Sequence, residues 1–225
     1  MLDWRSLRID LADLVLARTC AGCESPGTLL CEICWAHLTR GPIEHDVPDG
    51  GVALASTTYL GVGRSVIIAH KEHGCHALTP VLGILLARAV TSLTAEPVRL
   101  VPIPPHAHSL AVRGTDPLAD VVGATVRCLR SIGQQAVREP LLARVREGGS
   151  VKKLDRAARR ESIESSFVIA LRRRPHLGHL IVVDDVITTG TTITEARRAL
   201  ERGGLTVLGA AAVASTPLLS ANRDR

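Results

Sequence analysis

The chain has 225 residues, of which 46% are hydrophobic and only 2% aromatic, and its formal net charge is +5. Such a length buries a substantial core, and with so few rings that core must be packed with Leu, Val, Ile and Ala. The charge is local: residues 138–174 carry eleven Lys or Arg against five Asp or Glu, a surplus of six, which excludes a basic protein throughout and leaves one patch that suits a small polyanion as well as DNA.

At the N-terminus Asp3, Arg5, Arg8, Asp10 and Asp13 interrupt the apolar residues, so no secretory signal is expected and the chain is read as cytoplasmic. Residues 5–17 carry Leu7, Leu11, Leu14 and Val15 at helical spacing and are read as a short amphipathic helix. Two CxxC pairs follow, Cys20/Cys23 and Cys31/Cys34, only seven residues apart. Four thiolates at that spacing can close a tetrahedral zinc site with no open position, which makes the expected metal structural. A disulfide is disfavoured in a reducing compartment. His37 is a spare on an exposed helix end, and Cys75 and Cys128 are expected as buried small hydrophobes.

The division expected is an N-terminal helix and zinc module over residues 1–40, a Gly/Pro/acid-rich linker over 41–51, a main domain over 52–218 and a tail over 219–225. Within the main domain 52–60 reads as a strand, 64–69 as helical and 77–93 as a longer apolar helix with Pro80 in its first turn. The His70-Lys71-Glu72-His73 run lacks the HExxH pattern of a helical zinc site. A strand at 98–101 leads into Pro102-Ile103-Pro104-Pro105-His106, where two X-Pro steps make a stiff loop. At the carboxyl edge of a parallel sheet such a loop would be placed to meet a ligand. A helix is expected over 116–132, a weakly marked strand within 135–144, another over 166–171 and a closing strand over 205–214. The uncharged run 205–222 contains Gly209, Ser215, Thr216 and Pro217 and is read as buried strand and tail, not a membrane span. Residues 146–162 join a Gly-Gly hinge to dense positive charge. They are either a solvated helix face or a lid whose Lys152, Lys153, Arg156, Arg159 or Arg160 closes over an anion.

The most informative stretch is Leu180 to Thr192, LIVVDDVITTGTT. Its apolar, mostly β-branched start reads as a strand buried on both faces and ended by Asp184 and Asp185. The turn Thr188-Thr189-Gly190-Thr191-Thr192 then opens onto a helical pattern. Free N–H groups and the positive end of a helix suit a phosphate, threonine hydroxyls add donors, and glycine lets the backbone approach closely. The two aspartates suit sugar hydroxyls or a hard divalent cation. Thr192 and Glu195 have the spacing of a capping box, which leaves the acids and the other threonines unexplained.

All thirteen positions of this stretch match the pattern of the ribose-phosphate motif in type I phosphoribosyltransferases, which it therefore resembles. The chain as a whole resembles the ComF family of competence-associated proteins. The resemblance is carried by the CxxC pairs, the Lys71-Glu72-His73-Gly74 stretch, VPIPPH with the downstream Arg113-Gly114, the 180–192 motif and, more loosely, LDRAARRES. It implies an α/β fold with a mainly parallel sheet behind a zinc-ribbon-like module, phosphoribosyl pyrophosphate as ligand together with Mg²⁺, and structural Zn²⁺. It also implies roles: Asp184 and Asp185 at the ribose hydroxyls and metal, Thr188, Thr189, Gly190, Thr191 and Thr192 at the 5′-phosphate. Pro104, Pro105, His106, Arg113, Lys71 and Arg156 would serve the remaining ligand contacts. Thr115, Asp116 and Pro117 stand where that family has an aromatic, Asn and Gln, and Ser150-Val151-Lys152-Lys153 replaces a Gln-containing turn.

The functions open at this point are a phosphoribosyl transferase of unidentified acceptor linked to competence and DNA uptake, and a non-catalytic ligand-sensing or scaffold protein of the DNA-uptake machinery acting through the zinc module. A direct nucleic-acid binder is disfavoured, because Trp4, Trp35, Tyr59 and Phe167 are the only aromatics available for base stacking.

Overall fold

The computed structural model describes residues 19–49, 51–106, 114–145, 166–170 and 178–217. The expected helix at 5–17, Arg113, Arg156 and the basic segment 146–162, and the tail lie outside the described residues.

The central sheet has six strands in the order β1-β2-β8-β7-β3-β4. These are β1 (Ile43–Glu44), β2 (Ala53–Thr58), β3 (Val98–Pro102), β4 (Ala136–Arg138), β7 (His179–Ile187) and β8 (Val207–Ser215). Every neighbour pair is parallel except β1 with β2. The fold is therefore a mixed α/β domain on a mainly parallel sheet, as expected. Strands β5 (Leu142–Arg144) and β6 (Phe167–Ile169) form a separate antiparallel pair. Helices α1 (Glu32–Leu38), α2 (Gly61–Lys71), α3 (Thr79–Leu93), α4 (Pro117–Ser131) and α5 (Thr191–Arg202) flank the sheet.

The sequence explains the elements. β7 occupies the middle of the sheet, and its Leu180, Ile181, Val182 and Val183 are all buried, as a strand covered on both faces requires. β8 beside it carries a run of small residues, with Ala210, Ala211, Ala212 and Ala214 wholly buried, so α3 packs close on it. At the α3–α4 crossing a Cβ on Gly83 would lie 2.6 Å from the Ala124 Cβ, which puts the two helices in backbone contact there. Thr125 donates to the Gly83 carbonyl at 3.3 Å across that contact. α4 begins with Asp116 as N-cap, its carboxylate accepting the Ala119 N–H, and with Pro117 in the first turn. The helical stretch His76–Leu93, which includes α3, is long and apolar enough by composition to cross a membrane. Here Leu82, Leu85, Leu86, Ala89 and Val90 of that stretch are core residues against β2, β8 and α4.

Some expectations change. β7 does not end at the aspartates: it runs on to Ile187, with Asp184 opposite Ala212 and Ile187 opposite Ser215 of β8. The N-cap of α5 is Gly190, with no side-chain cap, so Thr192 and Glu195 do not form a capping box. The turn leaves the strand late, so Thr188 and Thr189 precede the helix while Thr191 and Thr192 form its first turn. Cys75 and Cys128 are only partly buried against the core. The stretch read as a linker carries β1, and its residues 43–48 alternate outward and inward, with His45 and Val47 buried. That alternation is what lets it pair with β2.

Candidate functional site

The carboxyl ends of β3 and β7 lie side by side. The Ile103 N–H donates to the Val183 carbonyl at 2.9 Å, so the stiff Pro102–His106 loop starts one residue from Asp184. Beyond β7, Thr188 and Thr189 are exposed, the Thr189 and Thr191 hydroxyls are 3.0 Å apart, and α5 begins at Thr191. Its first N–H groups have no intrahelical partner. Gly190 holds a left-handed φ of 74°, and a Cβ there would lie 2.8 Å from Val47 Cγ1 and 3.2 Å from Pro48 Cδ. The turn is thus braced from below by residues 47–48. From the other side the Thr216 hydroxyl donates to the Thr188 carbonyl at 3.0 Å.

Asp184 and Asp185 sit half-buried at this edge. Lys71, the last residue of α2, donates a charge-assisted hydrogen bond to Asp185 Oδ2. Burial, and then the charge of Asp185, hold the Asp184 carboxyl well above the ordinary carboxylate range, against the Asp185 N–H that donates to its Oδ1 at 2.8 Å and the more distant Lys71. An acid made reluctant to ionise beside a second acid is a place where a cation or a cluster of hydroxyl donors lowers the free energy. The cleft therefore presents two carboxylates and one lysine next to an N–H-rich turn.

Of the residues named from the sequence, Asp184, Asp185, Lys71, Pro104 and Thr188 to Thr192 converge on this edge. His106 is exposed at the end of its loop and Pro105 is partly buried beside it. Arg144 is a residue that sequence reading missed. From β5 its Nε donates to the Pro104 carbonyl at 2.8 Å, its guanidinium stacks 4.8 Å above the Phe167 ring, and Asp184 and Glu195 are among the charges acting on it. Burial lowers its pKa and those two acids raise it. No local pattern marks Arg144; only the register of the β5–β6 pair brings it to the loop.

The four cysteines form a second centre. One sulfur from each of Cys20, Cys23, Cys31 and Cys34 lies within 4.8 Å of every other, and the Cys23 and Cys31 sulfurs are 3.7 Å apart. Four sulfurs at about 2.3 Å from a tetrahedral ion stand about 3.8 Å from one another, so this set fits a zinc ion. The Cys31 N–H donates to Cys20 Sγ at 3.3 Å and the Cys34 N–H to Cys31 Sγ at 3.5 Å, as thiolates favour. Burial raises the Cys20 thiol, but the N–H groups of Cys31, Cys23 and Gly22 outweigh it and bring the pKa to about 6. Burial pushes the Cys34 thiol up. His37 is exposed on α1 and pairs with Arg40, outside the cluster, as expected.

No protein-family model matches the chain. Among curated proteins, the adenine phosphoribosyltransferase of Mycobacterium tuberculosis (strain CDC 1551 / Oshkosh) is 36% identical over 117 residues, 48% of this chain and 49% of that protein. The adenine phosphoribosyltransferase of Mycobacterium bovis (strain ATCC BAA-935 / AF2122/97) is 36% identical over 117 residues, 48% of this chain and 47% of its own length. The similarity is to phosphoribosyltransferases. The chain spans about half the length of the curated relatives it matches. The likeness agrees in kind with the parallel sheet and with the motif that follows its central strand.

Proposed function

We propose that the protein binds phosphoribosyl pyrophosphate with Mg²⁺ at the carboxyl edge of β3 and β7 and transfers the phosphoribosyl group to an acceptor not yet identified. The observation that carries this reading is the threonine/glycine turn entering α5 directly after the paired aspartates of the central strand. Thr188 to Thr192 and the first N–H groups of α5 bind the 5′-phosphate. Asp184 and Asp185 hold the ribose hydroxyls and the metal, which supplies neutralisation of the leaving pyrophosphate. Lys71 and the Pro104–His106 loop stand on the side where pyrophosphate departs, and Arg144 keeps that loop in place. The C1–pyrophosphate bond breaks, the bond to the acceptor forms at C1, and the protein contributes positioning and charge stabilisation more than proton transfer. The basic residues of 146–162, Arg156 among them, and Arg113 complete the anion contacts.

In this reading Cys20, Cys23, Cys31 and Cys34 hold a structural Zn²⁺, the protein works in the cytoplasm, and its process is competence and DNA uptake, as the ComF resemblance implies. Calorimetric titration of phosphoribosyl pyrophosphate, with and without Mg²⁺, tests it. Metal-dependent binding that disappears in Asp184→Asn/Asp185→Asn is expected; equal binding by that variant would refute it.

One observation favours a second reading, ligand sensing or scaffolding without turnover. Asp116 and Pro117, which replace the family's Asn and Gln region, serve here as the N-cap and first turn of α4. Tight binding with no release of pyrophosphate under any acceptor, together with capture of a DNA-uptake protein by the cysteine module, would select it.

A further inference from the structure

A cavity of about 560 Å³ lies away from the aspartates, between the cysteine module and the outer edge of β2. Its walls are the end of α1, the start of β1, the last residues of β2 and the first turn of α2. The cavity opens because the antiparallel β1–β2 ladder reaches no further than Ile43 opposite Ala55, and the chain then departs at Gly41 and Pro42. Its volume is in the range of small-molecule sites.

Its chemistry has one sign. Arg40 and His37 face it from the module side, their side chains 3.3 Å apart, and none of the described residues that line it is acidic. Opposite them is the N-terminus of α2, an 11-residue helix whose N-cap, Leu60, has no capping side chain. Gly61 starts that helix at a φ of 47° with nothing within 4 Å of where a Cβ would stand. The Gly63 N–H is taken by the Leu60 carbonyl at 3.1 Å, and the N–H groups of Gly61 and Val62 have no partner among the described residues. The independent observation is Thr57. It is 7% exposed, its side chain lines the cavity, and its hydroxyl has no hydrogen-bond partner among the described residues. The hydroxyl is not one of the sealed, unpartnered polar atoms and so keeps solvent access, which lets an acceptor in the cavity replace the water it would otherwise bond. Ile43 and Val62 add apolar wall beside it.

We propose that this cavity is a second binding site, for a small organic anion whose phosphate or carboxylate sits between Arg40, Thr57 and the α2 N-terminus while its ring or chain lies on Ile43 and Val62. None of the cavity's lining residues belongs to the phosphoribosyl motif: the end of β2 that lines it is two strands from β7, across β8. The 11 residues of α2 span about 16 Å between it and Lys71 at the paired aspartates. The inference does not depend on what binds at those aspartates.

The test is calorimetric titration of the full-length protein with benzoate, adenosine 5′-monophosphate and inorganic phosphate, beside the neutral benzamide and adenosine. Three variants accompany the wild type: Arg40→Gln, Thr57→Val and Asp184→Asn/Asp185→Asn. The expected result is binding of at least one organic anion in preference to its neutral counterpart, weakened at least tenfold by Arg40→Gln and severalfold by Thr57→Val, and retained in the aspartate pair variant. Benzoate alone would assign a carboxylate, and the monophosphate alone a phosphate ester. Equal binding of the neutral compounds, anion binding unaffected by Arg40→Gln, or no binding of any anion would each overturn the proposal. So would anion binding that is lost only in the aspartate variant. Arg40 is exposed, so its variant decides the matter even if Thr57→Val unfolds the chain.

Discussion

Substituting Gly190 by Ala tests the turn and its packing together. At a φ of 74° any residue with a Cβ pays the left-handed penalty, about 1–2 kcal/mol. The added methyl would also sit 2.8 Å from Val47 Cγ1 and 3.2 Å from both Val47 Cα and Pro48 Cδ, distances that force the neighbours to move. Overpacking of this kind costs about 1–3 kcal/mol. Gly133 provides the control: its φ is 86° and nothing lies within 4 Å of its Cβ position, so Gly133→Ala carries only the backbone part. Urea unfolding of both variants should therefore place Gly133→Ala about 1–2 kcal/mol below the wild type, with Gly190→Ala lower again by about 1–3 kcal/mol. Equal losses in the two variants would show that residues 47–48 do not brace the turn, and the reasoning would fail. Gly190→Ala should also weaken phosphoribosyl pyrophosphate binding in calorimetry, because the turn cannot keep both its shape and the added atom.

Asp184→Asn should be more stable than the wild type at neutral pH while losing ligand binding. The native state holds this proton more tightly than the unfolded chain, so stability falls as pH rises from the unfolded value, about 3.9, through the raised native one. The asparagine variant should lack that decline in denaturant titrations run across pH. Arg99 and Glu139 form a buried two-bond pair at 2.6 and 2.9 Å between β3 and the end of β4. Glu139→Ala should cost about 3–5 kcal/mol and the double Arg99→Met/Glu139→Leu change much less, as read by thermal melting. Cys34→Ser should abolish stoichiometric zinc in a colorimetric release assay and lower the melting temperature, and a chelator should do the same to the wild type. Arg144→Lys keeps the charge but loses the Nε contact with the Pro104 carbonyl and the planar stacking on Phe167. It should weaken pyrophosphate-bearing ligands more than ribose 5-phosphate in the same titration.

Much of the fold was legible because its signals are local. A both-faces-buried strand, a hydroxyl and glycine turn, Pro in the first turn of a helix and two CxxC knuckles each announce themselves within a dozen residues. The strand order was not legible: β7 and β8 are late in the chain yet lie between β2 and β3. Neither was the pairing of Lys71 with Asp185, separated by 114 positions. Arg144 was read as one more charge in a basic stretch, because its contact with Pro104 depends on tertiary register alone. The stretch at 41–51 carries a short strand that its composition does not announce. Its prolines, glycines and acids suggest a tether, while the alternation of residues 43–48 that makes it strand-like is only a few residues long.

That short alternation also governs how the protein behaves if it is nicked. β1 is two residues long, yet it is the sole antiparallel cover on the outer edge of β2 among the described residues. Cleavage that releases residues up to 49 would remove it, together with Val47 and the Asp49–Arg197 ion pair that fastens the stretch to α5. What remains would present the six residues ALASTT as an uncharged strand with open backbone groups. A fragment cut after residue 49 is thus expected to pair edge to edge along β2, so the short stretch that carries β1 guards the sheet behind it.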